Sequence, residues 1–340
     1  MNRFRNSNIL GSCAVVFLLG ITIFYWYQCC DCNAKILPVK CHDRSSVSVS
    51  VRGADLDFDG FDNELGSPTG EYVVPNIVHF IHFGNGSTTF IQAVCILAAI
   101  KNQKPEKLLI HTDQRNFDGG RYWHVVRDHP LAEGVVHVEH LPLPESIFEQ
   151  PLSQGWRMFH GSDIGRLQVL MAHGGIYLDM DSYVVRSLDD FRRYEMTLGW
   201  EDVSGGGISN QVILAHKNAR FLKEWMYSYK DDYQSREWFY NAGVRPTQLL
   251  RERPHLVHRV KRLLAEWTDP VKLVYVGLSK DWTIHYAIHL LINHQYMIGR
   301  NLSQTATYPV VFNETNILLY EANIRDMALA VYPFDKTNPL

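Results

Sequence analysis

The stretch Gly161 to Leu188, GSDIGRLQVLMAHGGIYLDMDSYVVRSL, constrains the fold more than any other part of this chain. Ile164, Leu167, Leu170 and Met171 recur at helical spacing. Ser162 is placed to cap that helix, with Asp163 in a first turn where the dipole favours an anion. Gly174-Gly175 can then take the left-handed geometry that ends a helix. Beyond it, Ile176, Leu178 and Met180 alternate with Tyr177, Asp179 and Asp181. A strand is therefore expected, with the apolar three on one face and the polar three on the other. Asp163 and Arg166 are three apart and lie side by side on the helix surface.

Both flanks continue the alternation. Strands are expected at Asn76 to Phe83, Lys107 to His111, Val135 to His140, Met196 to Trp200, Gln211 to Ala215 and Leu273 to Val276. Helices are expected at Phe90 to Lys101, Ala219 to Lys230, Thr247 to Arg253 and His258 to Ala265. Such alternation specifies a layered α/β domain with a mostly parallel sheet. Ligands of these sheets sit beyond the carboxyl ends of strands, which is where Asp179 and Asp181 fall.

The N-terminus sets the expected compartment. Ile9 to Tyr27 carries no charge and as a helix would span about 28 Å, close to a thin hydrocarbon core. Arg3 and Arg5 precede it and Asp31 follows, which orients the N-terminus to the cytosol. Tyr25, Trp26 and Tyr27 stand where a cleaved signal peptide would have small residues. The expected organisation is a cytoplasmic tail at 1–8, a signal-anchor at 9–27, a stem at 28–71 and a lumenal domain at 72–340. The stem assignment rests on serine-rich and acidic runs without apolar periodicity. Sequons at Asn85, Asn301 and Asn313 agree with lumenal exposure. Cys13, Cys29, Cys30, Cys32 and Cys41 cluster near the expected membrane, and only Cys95 lies within the domain. Neither a disulfide scaffold nor a zinc spacing is present. A net charge of −3 gives no basic face for nucleic acid.

Paired acids alone say little, since Asp55-Leu56-Asp57 and Asp57-Phe58-Asp59 repeat the spacing in the expected stem. Asp179-Met180-Asp181 differs by following a buried-type strand with Asp163, Arg166 and Tyr177 near it. Two carboxylates held together call for a cation or a proton. Oxygen ligands suit Mn²⁺ or Mg²⁺, which also bind phosphate oxygens. The chemistry therefore points to metal-dependent transfer from a nucleoside diphosphate. A haloacid-dehalogenase-type phosphotransferase also uses Asp-x-Asp and stays open as a weaker alternative, since it wants the nucleophilic Asp after an early strand with a later Lys and acid pair in support.

The same stretch resembles the glycosyltransferases with a DXD sugar-binding region, through Asp163-x-x-Arg166 followed by Tyr177-x-Asp179-x-Asp181. Weaker similarity runs from Val74-Pro75-Asn76-Ile77-Val78-His79 to Tyr286-Ala287-Ile288-His289. The resemblance implies a GT-A type nucleotide-sugar-binding fold in a Golgi type II membrane protein. It implies a retaining transferase that moves a hexose or N-acetylhexosamine to a glycan or glycolipid. The alternative is a catalytically silent carbohydrate- or nucleotide-binding protein on that fold. Asp179 and Asp181 would hold Mn²⁺ (or Mg²⁺) and the donor, with His289 completing the metal site. Asp163, Arg166, Tyr177, His79 and Asn210 would line the donor site, and Glu201 and Asp202 would stand near the acceptor. Leu291 occupies a position where relatives commonly carry Trp, and His82 another. His285 and His289 would share a helix face if Trp282 to His289 were helical.

Overall fold

The computed structural model describes residues 56–201, 206–264, 269–292 and 311–334. The expected membrane span Ile9 to Tyr27 lies outside them, and among the described residues no helix is long and apolar enough to cross a membrane. In chain order the elements are β1 (Ile77–Ile81), α1 (Phe90–Gln103), β2 (Lys107–Thr112), α2 (Gly120–Arg127) and β3 (Val136–His140). A small hairpin, β4 (Ser146–Ile147) and β5 (Gln150–Pro151), leads to α3 (Arg157–His173), β6 (Gly175–Leu178) and β7 (Ser182–Val184). Then come β8 (Met196–Glu201), β9 (Gly207–Ala215), α4 (Arg220–Asp232), α5 (Arg245–Glu252) and β10 (His258–Lys261). The last are α6 (Asp269–Val276), β11 (Ala287–His289) and α7 (Asn323–Val331).

Seven strands form the main sheet, in the order β10-β8-β9-β6-β1-β2-β3. Only β9 runs antiparallel to its neighbours, so the sheet is mixed and mostly parallel, as the alternation predicts. Both faces are covered, which is why β1 and β6 are buried almost throughout. Ile176 and Leu178 of β6 pack with Val78, Phe80 and the apolar α1 on one face. Tyr177 points the other way, among Ile164, Leu167 and Trp225 from α3 and α4. The two-faced strand of the sequence is real, but its second face is buried rather than wet.

Helix α1 starts with a capping box, Thr89 accepting from the Gln92 N–H and Gln92 reaching back to the Thr89 N–H. Helix α3 starts earlier than its apolar stripe suggests. Arg157 opens it, Ser162 lies in its second turn, and the Ser162 hydroxyl donates to the Met158 carbonyl at 2.9 Å instead of capping. Its first turn is held by tertiary bonds: the His160 ring meets the Tyr233 hydroxyl at 2.8 Å. Asp163 is thus not a first-turn acid.

Other expectations change for similar reasons. His258 to Ala265 does not form a helix. Its first four residues are the edge strand β10, paired in parallel with β8. Leu273 to Val276 is the last turn of α6, the ordinary ambiguity of a short apolar run. Trp282 to His289 is not helical either. A short 3₁₀ turn leads into β11, so His285 and His289 share no helix face. Helix α2 is absent from the sequence reading because only Trp123 and Val126 anchor it. The stem boundary at residue 71 is also too late. Phe58 is buried with its ring against His216, and Asn63 is buried between Glu195 and the His255 carbonyl. Residues 56–71 are therefore part of the folded body.

Candidate active site

Strand β6 ends at Leu178, and Asp179-Met180-Asp181 forms the turn into β7, closed by the Ser182 N–H donating to the Asp179 carbonyl at 2.8 Å. The Asp179 N–H is tied to the Gln211 carbonyl of β9 at 2.9 Å. Strand β11 pairs antiparallel with β7, setting His289 opposite Ser182. That pairing brings a residue from far along the chain beside the acids. His289 Nε2 lies 3.1 Å from Asp181 Oδ1 and 4.0 Å from Asp179 Oδ2. One ligand atom from each of the three lies within 4.8 Å of the others. Asp181 is fixed further by the Ile292 N–H, which donates to its other oxygen at 3.1 Å.

Two carboxylates and an imidazole converging on one point suit Mn²⁺, with Mg²⁺ less matched to the nitrogen. Burial alone would raise Asp181 and lower His289, but their mutual attraction reverses both shifts.

The second half of the site is the α3 pair. Arg166 Nη2 lies 3.0 Å from Asp163 Oδ1, and Nη1 lies 3.1 Å from Asp179 Oδ1. Nη1 also donates to the Asn210 carbonyl at 2.7 Å. The guanidinium sits 4.6 Å from the centre of the Tyr177 ring, whose hydroxyl donates to Asp179 at 2.7 Å. Burial opposes the charge on Arg166, yet Asp179, Tyr177 and Asp163 together hold its pKa above the ordinary value. Burial pushes the Asp163 carboxyl up to about 6, Arg166 opposing and Asp179 reinforcing the shift.

A cavity of about 520 Å³ opens over this network. Asp163, Arg166, Tyr177, Asp179, Asp181, Asn210, Glu201 and His289 all line it. Asn210 presents its amide to Asp163, at 3.4 Å. Glu201 stands at the end of β8, past a bulge between Leu198 and Gly199, the kind of irregularity that re-aims a side chain. Burial raises its carboxyl to about 7, against the pull of His289. Asp202 lies outside the described residues.

His79 does not join the donor site. It is fully buried in β1, with Nε2–H donating to the Gly174 carbonyl at 2.9 Å and Nδ1 facing His111 Nε2 at 3.0 Å. It braces the joint between α3 and β6 from beneath. Leu291, in contrast, lines the cavity, with a φ of 48°. The sequence reading missed the cavity's other wall, formed by Met158, Phe159, Trp238 and Phe239. Their only sequence signal is apolar bulk outside any periodic stripe.

The site combines an Asp–Asp–His triad that could hold a metal, a buried Asp–Arg pair and a cavity that both line. The family model for the glycosyltransferase sugar-binding region containing the DXD motif matches residues 96–198. Over those residues the chain is similar to this family of DXD glycosyltransferases. It is 29% identical over 239 residues to glucan organizing enzyme 1 of Cryptococcus neoformans var. grubii, covering 64% of this chain and 62% of that protein. It is 38% identical over 71 residues to an uncharacterised protein of Arabidopsis thaliana, covering 21% of this chain and 11% of that one. The chain thus spans less than two thirds of either relative's length. Among solved structures it is similar to the galactosyltransferase LgtC, with 12% identity and a TM-score of 0.41 over 77% of this chain and 98% of that one. GlyE of Streptococcus pneumoniae is similar at 10% identity and a TM-score of 0.44, covering 77% and 61%.

Proposed function

We propose that the chain is a metal-dependent, retaining glycosyltransferase of GT-A type. It moves a hexose or N-acetylhexosamine from a nucleotide sugar to a glycan or glycolipid. The observation that carries this reading is the convergence of Asp179, Asp181 and His289 beside the Asp163–Arg166 pair in one cavity. Asp179, Asp181 and His289 would hold Mn²⁺, which when bound neutralises charge on a departing diphosphate.

The chain's own residues do the rest. Asp163, buried and fixed by Arg166, accepts hydrogen bonds from donor-sugar hydroxyls. Asn210 offers an amide beside it. Arg166 keeps a permanent positive charge near the bond that breaks, in a site where little solvent screens it. The anomeric C–O bond breaks with its electron pair leaving on the diphosphate. An acceptor hydroxyl attacks the same face, and its proton passes to the leaving oxygen. Glu201, its carboxyl raised into the neutral pH range, lines the same cavity and on this reading faces the acceptor. By the anchor reading of Ile9 to Tyr27, this chemistry takes place in the Golgi lumen.

The purified chain, offered UDP-Gal, UDP-Glc, UDP-GlcNAc and GDP-Man with Mn²⁺, is expected to hydrolyse at least one slowly. Asp181→Ala should lower that rate by about 10²-fold or more, and a chelator should do the same. Binding without turnover would mark a silent sugar-nucleotide-binding protein. Neither binding nor turnover of any donor would end the enzyme reading.

A further inference from the structure

The cavity has two chemically different ends. Its floor is the charged network of Asp163, Arg166, Asp179, Asp181 and His289. Its mouth is apolar: Phe159 is 49% exposed, Trp238 36% and Phe239 42%. The Phe159 and Trp238 rings meet edge to face, with centroids 6.5 Å apart and planes at 88°. Trp156 extends the row, 5.9 Å from Phe159 at 71°. The fold does not need these rings outside. The buried stripe of α3 is carried by Ile164, Leu167 and Leu170, further along the helix. Large apolar side chains left half in water at the mouth of a cavity mark a surface kept for a ligand.

The donor leaves this corner free. On the proposed function, its diphosphate lies at the metal triad and its sugar at Asp163 and Arg166. Its nucleoside belongs beyond the carboxyl ends of the parallel strands β6, β1 and β2. The corner is assembled elsewhere, from the first turn of α3 and the segment entering the π-helical turn Tyr240–Val244, which packs on β9. Two flat faces at a right angle fit a pyranose. Its C–H face can lie on one ring while its edge rests on the other. Its hydroxyls then find polar partners in the same cavity, Ser162 and Glu201 among them. An alkyl chain would gain from the rings but would leave those polar groups without use.

We infer that the Phe159–Trp238 corner is the acceptor subsite, and that it takes a pyranose unit of a saccharide by stacking. The inference rests on the transferase reading, for which a second sugar must stand beside the donor. The test is saturation-transfer NMR on the full chain in lipid nanodiscs with Mn²⁺ and UDP. The probes are the methyl α- and β-pyranosides of glucose, galactose, mannose and N-acetylglucosamine, together with n-butyl β-glucopyranoside. At least one methyl pyranoside should bind and receive saturation on its ring C–H protons. Phe159→Ala and Trp238→Ala should each weaken that binding about tenfold, and Trp238→Phe should restore most of it. The electron paramagnetic resonance of bound Mn²⁺ reports that the variants keep their fold and metal end. No binding by any methyl pyranoside, or binding that both alanine variants leave untouched, overturns the proposal. Saturation confined to the butyl chain also overturns it, in favour of an apolar aglycone site. A wild-type chain that binds a pyranoside at the corner yet hydrolyses no nucleotide sugar would sink the transferase reading instead.

Discussion

Gly175 governs the joint between α3 and β6. Its φ is +121°, and a Cβ there would stand 2.4 Å from the Ile77 carbonyl and 2.9 Å from His79 Nε2. Gly174, at φ +65°, closes the helix through its N–H to the Leu170 carbonyl. The two glycines therefore let α3 end with its Asp163–Arg166 face already beside the strand that carries Asp179. Gly175→Ala is expected to destabilise the fold by about 2–3 kcal/mol through strain and displaced backbone. Urea unfolding measures the stability loss, and weakened Mn²⁺ binding would show the shift reaching Asp179 and Asp181.

Below that joint, His79 and His111 must stay neutral. The Gly174 carbonyl only accepts, so His79 carries its proton on Nε2 and its Nδ1 accepts from His111 Nε2–H. Burial, then the neighbouring histidine charges, lower His79 to about 3 and His111 to about 4, from an ordinary 6.5. The unfolded chain thus binds more protons than the folded one between those values and 6.5. Stability from this pair is complete above pH 6.5 and is lost as pH falls toward 4. Thermal unfolding from about pH 7.5 to 4.5 should show Tm dropping below about pH 6.5. A Tm that is flat across that range would contradict the buried neutral pair.

At the scale of elements, Glu195 ties three segments together. It is completely buried just before β8, accepting from the Asn63 amide at 3.1 Å and from Arg220 Nη2 at 2.8 Å. Its own N–H donates to Asn63 Oδ1 at 3.0 Å, and the Arg220 side chain also reaches the Phe61 carbonyl at 2.9 Å. This carboxylate ties residues 56–71 to β8 and to α4, beside the Ser67 N–H donating to the Arg193 carbonyl at 2.8 Å and the Phe58 ring against His216. Glu195→Ala leaves an arginine and an amide without their shared acceptor. A loss of about 3 kcal/mol is expected, at the lower end for a broken buried pair because Arg220 keeps some water. Limited proteolysis should then cut first within residues 56–71. Cleavage elsewhere, with that segment still protected, would contradict the role given to Glu195.

For the whole molecule, the sheet is the organiser. Helices α1, α2, α6 and α7 cover one face, and α3, α4 and α5 cover the other. The cavity lies where β6 and β8 end, where the antiparallel β9 begins and where β11 returns to β7. If Ile9 to Tyr27 anchors this body to a membrane, the full chain should stay in the membrane pellet through alkaline carbonate extraction. Release into the supernatant would remove the anchor from the proposed function.

The sequence by itself determined the local parts: the Gly-Gly stop, the buried strand, the Asp163–Arg166 pair one turn apart and the alternation that builds a mostly parallel sheet. These signals live within a few residues of one another, where glycine geometry and side-chain periodicity are legible. Only the tertiary structure decided what those parts meet. The early start of α3 depends on His160 reaching Tyr233, and the strand state of His258 to Lys261 depends on an open edge at β8. His79 leaves the donor site because its own strand is buried on both faces, a fact that needs the neighbours of β1. His289 reaches Asp179 and Asp181 through the pairing of β11 with β7, and the aromatic corner forms because two segments far apart in sequence pack together. Hydrogen-bond pairing and packing act between residues at any sequence distance, so these contacts leave no periodic trace in the chain that carries them.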